Sequence, residues 1–198
     1  ASLIVITTRE LKMTQVAIVY HSGYGHTAKV AQAVEQGAAG VSGVQTHLIS
    51  VNDVNDATWD VLAKADAIVF GSPTYMGGAS ADFKKFADAS SKVWFNQGWK
   101  NKVAGGFTNS MSMSGDKLST LQYFVTYAMQ HGMIWVGSAT PGAQKPGDVN
   151  ELNRVGSWVG VMTQSDNAPA DVTPPASDLE TAKIYGARVA EFAKKLLA

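Results

Sequence analysis

Residues His21–Thr27 read HSGYGHT, a composition that suits the binding of a phosphate group. Gly23 and Gly25 let backbone N–H groups turn inward with no Cβ in the way. Ser22 and Thr27 can donate hydroxyl hydrogen bonds. A helical pattern begins near Thr27, and a helix N-terminus turns its positive dipole end toward an anion. No Arg or Lys stands in the segment, so the cradle would be neutral, a nest of N–H and O–H groups able to hold a phosphate monoester. The same residues also describe an ordinary glycine-containing turn capped by Ser or Thr.

Comparison with other phosphate sites narrows the chemistry. Gly23–Ala28 fits the dinucleotide fingerprint G-x-G-x-x-A, but that motif needs an acidic side chain at the end of the second strand. Ser50 stands near that point and Asp53 comes late. A Walker A loop fails for want of G-K-[ST]. A phosphate-accepting response regulator needs an acidic cluster where His21 and Ser22 stand, and a low-molecular-weight tyrosine phosphatase needs a cysteine, of which the chain has none. What remains is one phosphate with a flat ring lying across two further segments. Pro73, Thr74, Tyr75, Met76 and Gly77 offer backbone N–H groups and an aromatic side chain. Thr108, Asn109, Ser110, Met111, Ser112, Met113 and Ser114 offer hydroxyls, an amide and two pliable methionines, which would also serve as gap fillers.

His131 precedes Gly132 and admits two readings, a cation at a helix C-terminus before a glycine stop or a residue of the site. Trp94 and Trp99 follow the third helix and could line a pocket; Trp135 and Trp158 fit a core or an interface. His21, His26, His47 and His131 show no metal-ligand spacing.

These segments need a scaffold that gathers them. The pattern predicts strands over Thr14–Tyr20, Val44–Ser50, Asp66–Ser72, Lys102–Thr108 and Met133–Ser138. Helices are predicted over Thr27–Gly40, Trp59–Ala65, Ser80–Lys92, Lys117–His131 and Leu179–Leu197. Alternating units of this kind form an α/β fold, a flavodoxin-like three-layer α/β/α sandwich with a five-stranded parallel sheet in order 2-1-3-4-5. In such a sheet the segments after the first, third and fourth strands lie along one edge, where ligands bind. Residues Ala139–Asp178, rich in Gly, Pro and Asp, read as a long irregular arm, functional or an interface.

The 198 residues suffice for one domain with a sizeable core. Residues 1–12 look foreign to the rest of the chain and are expected to be an extension, with residues 13–198 a single domain. Sixteen basic residues balance sixteen acidic ones, which argues against nucleic acid or an anionic membrane as partner. No apolar run approaches the ~20 residues of a membrane span. The absence of cysteine excludes disulfides, thiolate zinc sites and cysteine nucleophiles, and a chain without bridges fits a cytoplasmic location.

Together, S-x-Y-G-H-T at Ser22–Thr27, GSPTYMG at Gly71–Gly77, the segment Asn109–Ser114 and HGM at His131–Met133 resemble the tryptophan-repressor-binding-protein (WrbA) type of flavoprotein. These are NAD(P)H:quinone oxidoreductases of flavodoxin fold, and the likeness runs over Thr14–Ala198. It implies FMN as cofactor, with its phosphate on Ser22–Thr27, its ring against the second and third segments, and His131 at the flavin. It implies Trp94 beside the substrate and Tyr24 at the nicotinamide of NADH or NADPH. It also implies two-electron transfer to a quinone and a homo-oligomer, dimer or tetramer, whose neighbouring subunits complete the sites. The family often has Arg where Tyr75 stands and S-T-G-T-G-G where Asn109–Ser114 read NSMSMS. Gly156–Pro175 also differs. Donor preference and quinone therefore stay open. Two other functions share the scaffold, a flavodoxin-like carrier of single electrons and an FMN-binding scaffold protein.

Overall fold

A computed structural model describes residues 13–197; the expected extension over residues 1–12 lies outside the described residues. The chain runs β1 (Thr14–Tyr20), α1 (His26–Ala39), β2 (Val44–Ser50), a 3-10 turn, α2 (Asp56–Lys64), β3 (Ala67–Tyr75) and β4 (Gly78–Ala79). It continues through α3 (Ala81–Ala89), α4 (Ser91–Phe95), β5 (Val103–Ser110), α5 (Lys117–Gln130), β6 (Ile134–Trp135), β7 (Val161–Gln164) and α6 (Ala176–Leu197). The main path of the sheet is β2-β1-β3-β5-β6, all parallel. With the short hairpin strand β4 set aside, this is the flavodoxin-like order expected from the sequence.

Strand alternation sends successive side chains to opposite faces and so divides the core in two. Val16 and Ile18 of β1 join Val30 and Val34 of α1 and Tyr185 and Val189 of α6 on one face. Ala17 and Val19 join Phe83, Phe86, Trp99 and Phe124 on the other. The first face closes tightly because two helices meet at glycines. A Cβ on Gly37 would lie 1.8 Å from the Lys183 carbonyl oxygen, and one on Gly186 would lie 1.9 Å from that of Val34.

Three elements differ from expectation in ways that bear on function. β3 does not stop at Ser72 but runs on to Tyr75 and turns back through a hairpin. Met76 (φ 48°) and Gly77 (φ 81°) take left-handed conformations at its tip. The third helix breaks at Ser90 into α3 and α4. The predicted fifth strand is cut short. Of Met133–Ser138 only β6 forms, paired with Val103 and Ala104, and after an excursion over residues 136–160 a strand not predicted, β7, takes the rest of that sheet position against Phe107–Ser110. The arm Ala139–Asp178 thus contains a strand, which brings Gln164 and the turn after it to the same sheet edge as the other loops.

Candidate functional site

At that edge the chain leaves β1 with the His21 N–H still bonded to the Gly71 carbonyl at 3.0 Å. Ser22 then organises the turn: its Oγ accepts from the N–H groups of Gly25 and Ala28, each at 3.1 Å. Gly25 takes φ 91°, a conformation that favours glycine, and caps α1. Among the described residues the N–H groups of Gly23, Tyr24, His26 and Thr27 have no acceptor, and the Thr27 hydroxyl has no protein partner. Ser22 accepts twice and still has its own proton to donate. This is an uncharged nest at the start of a 14-residue helix, and it suits an anion.

A cavity of about 430 Å³ opens beside it. The first loop forms one wall. Pro73 and Tyr75 of β3 form the second, Asn109–Met111 at the end of β5 the third. The first two meet closely, for a Cβ on Gly23 would stand 2.5 Å from the Tyr75 hydroxyl oxygen. Asn109 is oriented from behind. Its Oδ1 accepts from Thr163 Oγ1 at 2.8 Å and Ser165 Oγ at 3.0 Å, which leaves the amide NH2 as the group it presents to the cavity.

The fourth wall, Ser165–Pro169, was not among the residues expected from the sequence. It follows β7 directly, so the signal was present, a short V-M-T-Q strand leading into polar turn residues at the same edge. The segment is fastened across the first loop by His26, whose Nε2 lies 2.7 Å from the Ala168 carbonyl oxygen. The His26 ring therefore binds protein, while its backbone N–H stays with the nest.

Other expected residues take different places. The Thr74 hydroxyl bonds those of Thr108 and Thr120, each at 2.8 Å, so Thr74 and Thr108 tie the second and third segments to α5. Met76 stands fully exposed at the hairpin tip, and neither it nor Gly77 lines the cavity. Ser112, Met113 and Ser114 continue the third loop beyond the cavity wall. That loop is propped from behind. Lys117, fully buried, donates to the Ser112 carbonyl and, at 3.1 Å, to that of Met113. Burial pulls its ammonium down to about 8, with Asp178 opposing the change and Arg154 adding to it. Arg154 meets Asp178 through Nε–Oδ1 at 2.8 Å and Nη2–Oδ2 at 3.1 Å. It also donates to Gln164 Oε1 at 2.8 Å, and Gln164 Nε2 holds the Met111 carbonyl at 2.9 Å.

His131 and Trp94 lie elsewhere. His131 follows α5 and precedes β6, at the N-terminal edge of the parallel sheet, opposite the cavity. The Ser90 hydroxyl donates to the Ala87 carbonyl and accepts from the Tyr127 hydroxyl, so at 2.9 Å His131 Nε2 is the donor to Ser90. Burial lowers His131 to about 4, which keeps the ring neutral, and its buried Nδ1 has no partner among the described residues. Trp94 is half-exposed and shares two shallow clefts with His131. Trp99 is core, 4.4 Å from the His131 ring centre. Among the described residues no cluster of acidic or histidine side chains could hold a metal ion, and no helix is long and apolar enough to cross a membrane.

Comparison with known proteins identifies the family. Residues 15–146 match the model of the NADPH-dependent FMN reductase family. The chain is 43% identical to flavodoxin FldP of Pseudomonas aeruginosa, over 93% of this chain and 99% of that one. It is 31% identical to an NAD(P)H dehydrogenase (quinone) of Geobacter sulfurreducens, over 91% and 98%. Among solved structures it resembles a WrbA-like flavodoxin of Agrobacterium tumefaciens at 45% identity and a TM-score of 0.72, covering 92% of this chain and 98% of that one.

Proposed function

The chain belongs to the NADPH-dependent FMN reductase family, in its WrbA-like branch of flavodoxin fold, and on that premise we propose that it binds FMN and passes two electrons from NADH or NADPH to a quinone. One observation carries the reading. Four open amides and two hydroxyls of Ser22–Thr27 face a cavity whose other walls come from the ends of β3, β5 and β7. The residues present fit the cofactor, since a neutral nest takes a phosphate without a counter-cation.

Bound FMN would supply hydride acceptance and electron release, and the protein would bind, orient and tune it. Ser22, Thr27 and the amides of Gly23, Tyr24 and His26 hold the phosphate. Asn109 offers its fixed NH2 to the sugar chain or ring edge. Tyr75 and Pro73 flank the ring, and Ser165–Pro169 close the phosphate end against water. Tyr24, 80% exposed at the mouth, is free to meet an incoming nicotinamide.

His131 and Trp94 cannot reach this cavity in their own chain, because the sheet separates them from it. A role at a flavin therefore requires a second copy, which is the reason for proposing a homo-oligomer. Their own edge exposes Trp94, Phe95 and Met129, side chains suited to such a contact.

A second reading has a specific support, the likeness to a protein named flavodoxin, and would make this chain an electron carrier. The even balance of charge lends no support to an acidic docking face. Steady-state oxidation of NADH and NADPH with benzoquinone distinguishes the two: sustained turnover by the FMN-loaded protein supports the enzyme, negligible turnover the carrier. Size measurement with and without FMN tests the oligomer.

A further inference from the structure

Among the described residues the fold buries three charged lysine, arginine or aspartate side chains, and all three stand behind the third loop. Lys117 is 0% exposed, Asp178 2% and Arg154 3%. Arg154 and Asp178 neutralise each other through two hydrogen bonds. Lys117 forms no ion pair among the described residues, and its hydrogen-bond partners are two carbonyls. The group therefore carries one net positive charge. Two carbonyls could be satisfied by a neutral amide or hydroxyl, whereas a buried cation is costly. What the lysine adds is charge.

It also sets the direction of the loop. The Ser112 carbonyl and the Met113 N–H belong to one planar trans peptide, and the Met113 carbonyl and the Ser114 N–H to the next. Drawing both carbonyls toward the ammonium turns both N–H groups the other way. Neither has an acceptor among the described residues. The loop thus offers two outward amides backed by a cation. Met111, at the start of this stretch, lines the cavity and is held by Gln164, which Arg154 grips in turn.

We propose that Lys117 is a positioning residue that makes this site favour the reduced flavin, by propping the third loop behind its Asn109–Met111 wall and by setting a net positive charge there. The inference rests on the FMN reading above. On reduction the cofactor takes up two electrons, here from the nicotinamide donor, and one proton, and so gains one negative charge. A net cation behind the loop binds that form more tightly than the oxidised one. The effect eases the acceptance of a hydride, the step a quinone reductase needs.

The test compares FMN affinity in two redox states, by fluorescence quenching in air and by titration under anaerobic dithionite, for the wild type, Lys117→Met, Lys117→Gln and Asp178→Asn. In both lysine variants the preference for reduced over oxidised FMN is expected to fall about tenfold, which for a two-electron couple is about 30 mV lower in potential. Lys117→Gln keeps N–H donors for the two carbonyls and so guards against a folding failure. Asp178→Asn leaves the group more positive and is expected to move the preference the other way. A lysine that only supports the loop would weaken both redox forms alike, so an unchanged preference in both lysine variants overturns the inference. Wild-type protein that leaves FMN fluorescence untouched would instead bring down the FMN reading, and the inference with it.

Discussion

The first and third loops both offer amide groups at one sheet edge, but they are held in opposite ways. The first is built locally and without charge: Ser22 bonds Gly25 and Ala28, a few residues away, and glycine supplies the φ. The third is propped by charge: Lys117 reaches back to it from the start of α5, and Arg154 from the excursion and Asp178 from α6 arrive from distant chain behind it. A local loop can be read and altered alone. A propped loop shares its fate with the fold.

That contrast predicts where damage falls. Arg154→Met leaves the Asp178 carboxylate buried and unpaired, and it is expected to cost about 3–5 kcal/mol of stability, read by chemical denaturation. A wild-type denaturation midpoint in this variant would break the comparison. Thr27→Asp is expected to do the reverse. A carboxylate in the first turn of α1 suits the helix dipole, yet it opposes a phosphate, so FMN affinity should drop at least about a hundredfold with the fold intact, as circular dichroism can verify.

The opposite sheet edge gives a further contrast, this time in pH. His131 is held neutral, its folded value lowered to about 4 from the usual 6.5. Between those values the unfolded chain binds more protons than the folded one, so stability is full above about 6.5 and is lost as pH falls toward 4. His131→Gln is expected to flatten that part of a stability–pH curve; a curve of unchanged slope would remove His131 as its cause. The smallest effect concerns the seam of the first two loops. In Gly23→Ala the new Cβ crowds the Tyr75 hydroxyl oxygen, the mobile tip of a side chain, so FMN affinity is expected to fall by less than about tenfold. Adding Tyr75→Phe should recover most of it.

The sequence made the first loop legible because its determinants lie within seven residues. Strands β1 and β2 likewise announced themselves through unbroken runs of buried or alternating residues, and their expected bounds agree with the fold. β7 escaped notice because four residues carry too little periodicity against a background of Gly, Pro and Asp. With β7 unseen, Ser165–Pro169 had no reason to be placed at the cavity. Lys117 read as a helix start, since nothing local reveals that its ammonium turns back under the loop. His131 illustrates a different limit. The motif HGM is plain in the chain, but only sheet direction tells that it lies at the far edge from the Ser22–Thr27 nest.

FMN binding stands or falls on that nest, and the most direct measurement is a pair of titrations, FMN and riboflavin, followed by flavin fluorescence. A neutral cradle that grips the phosphate predicts saturable binding of FMN at one per chain. Riboflavin, which lacks the phosphate and with it several charge-assisted hydrogen bonds, should bind at least about a hundredfold more weakly. Equal affinity for the two flavins would contradict the assignment of Ser22–Thr27.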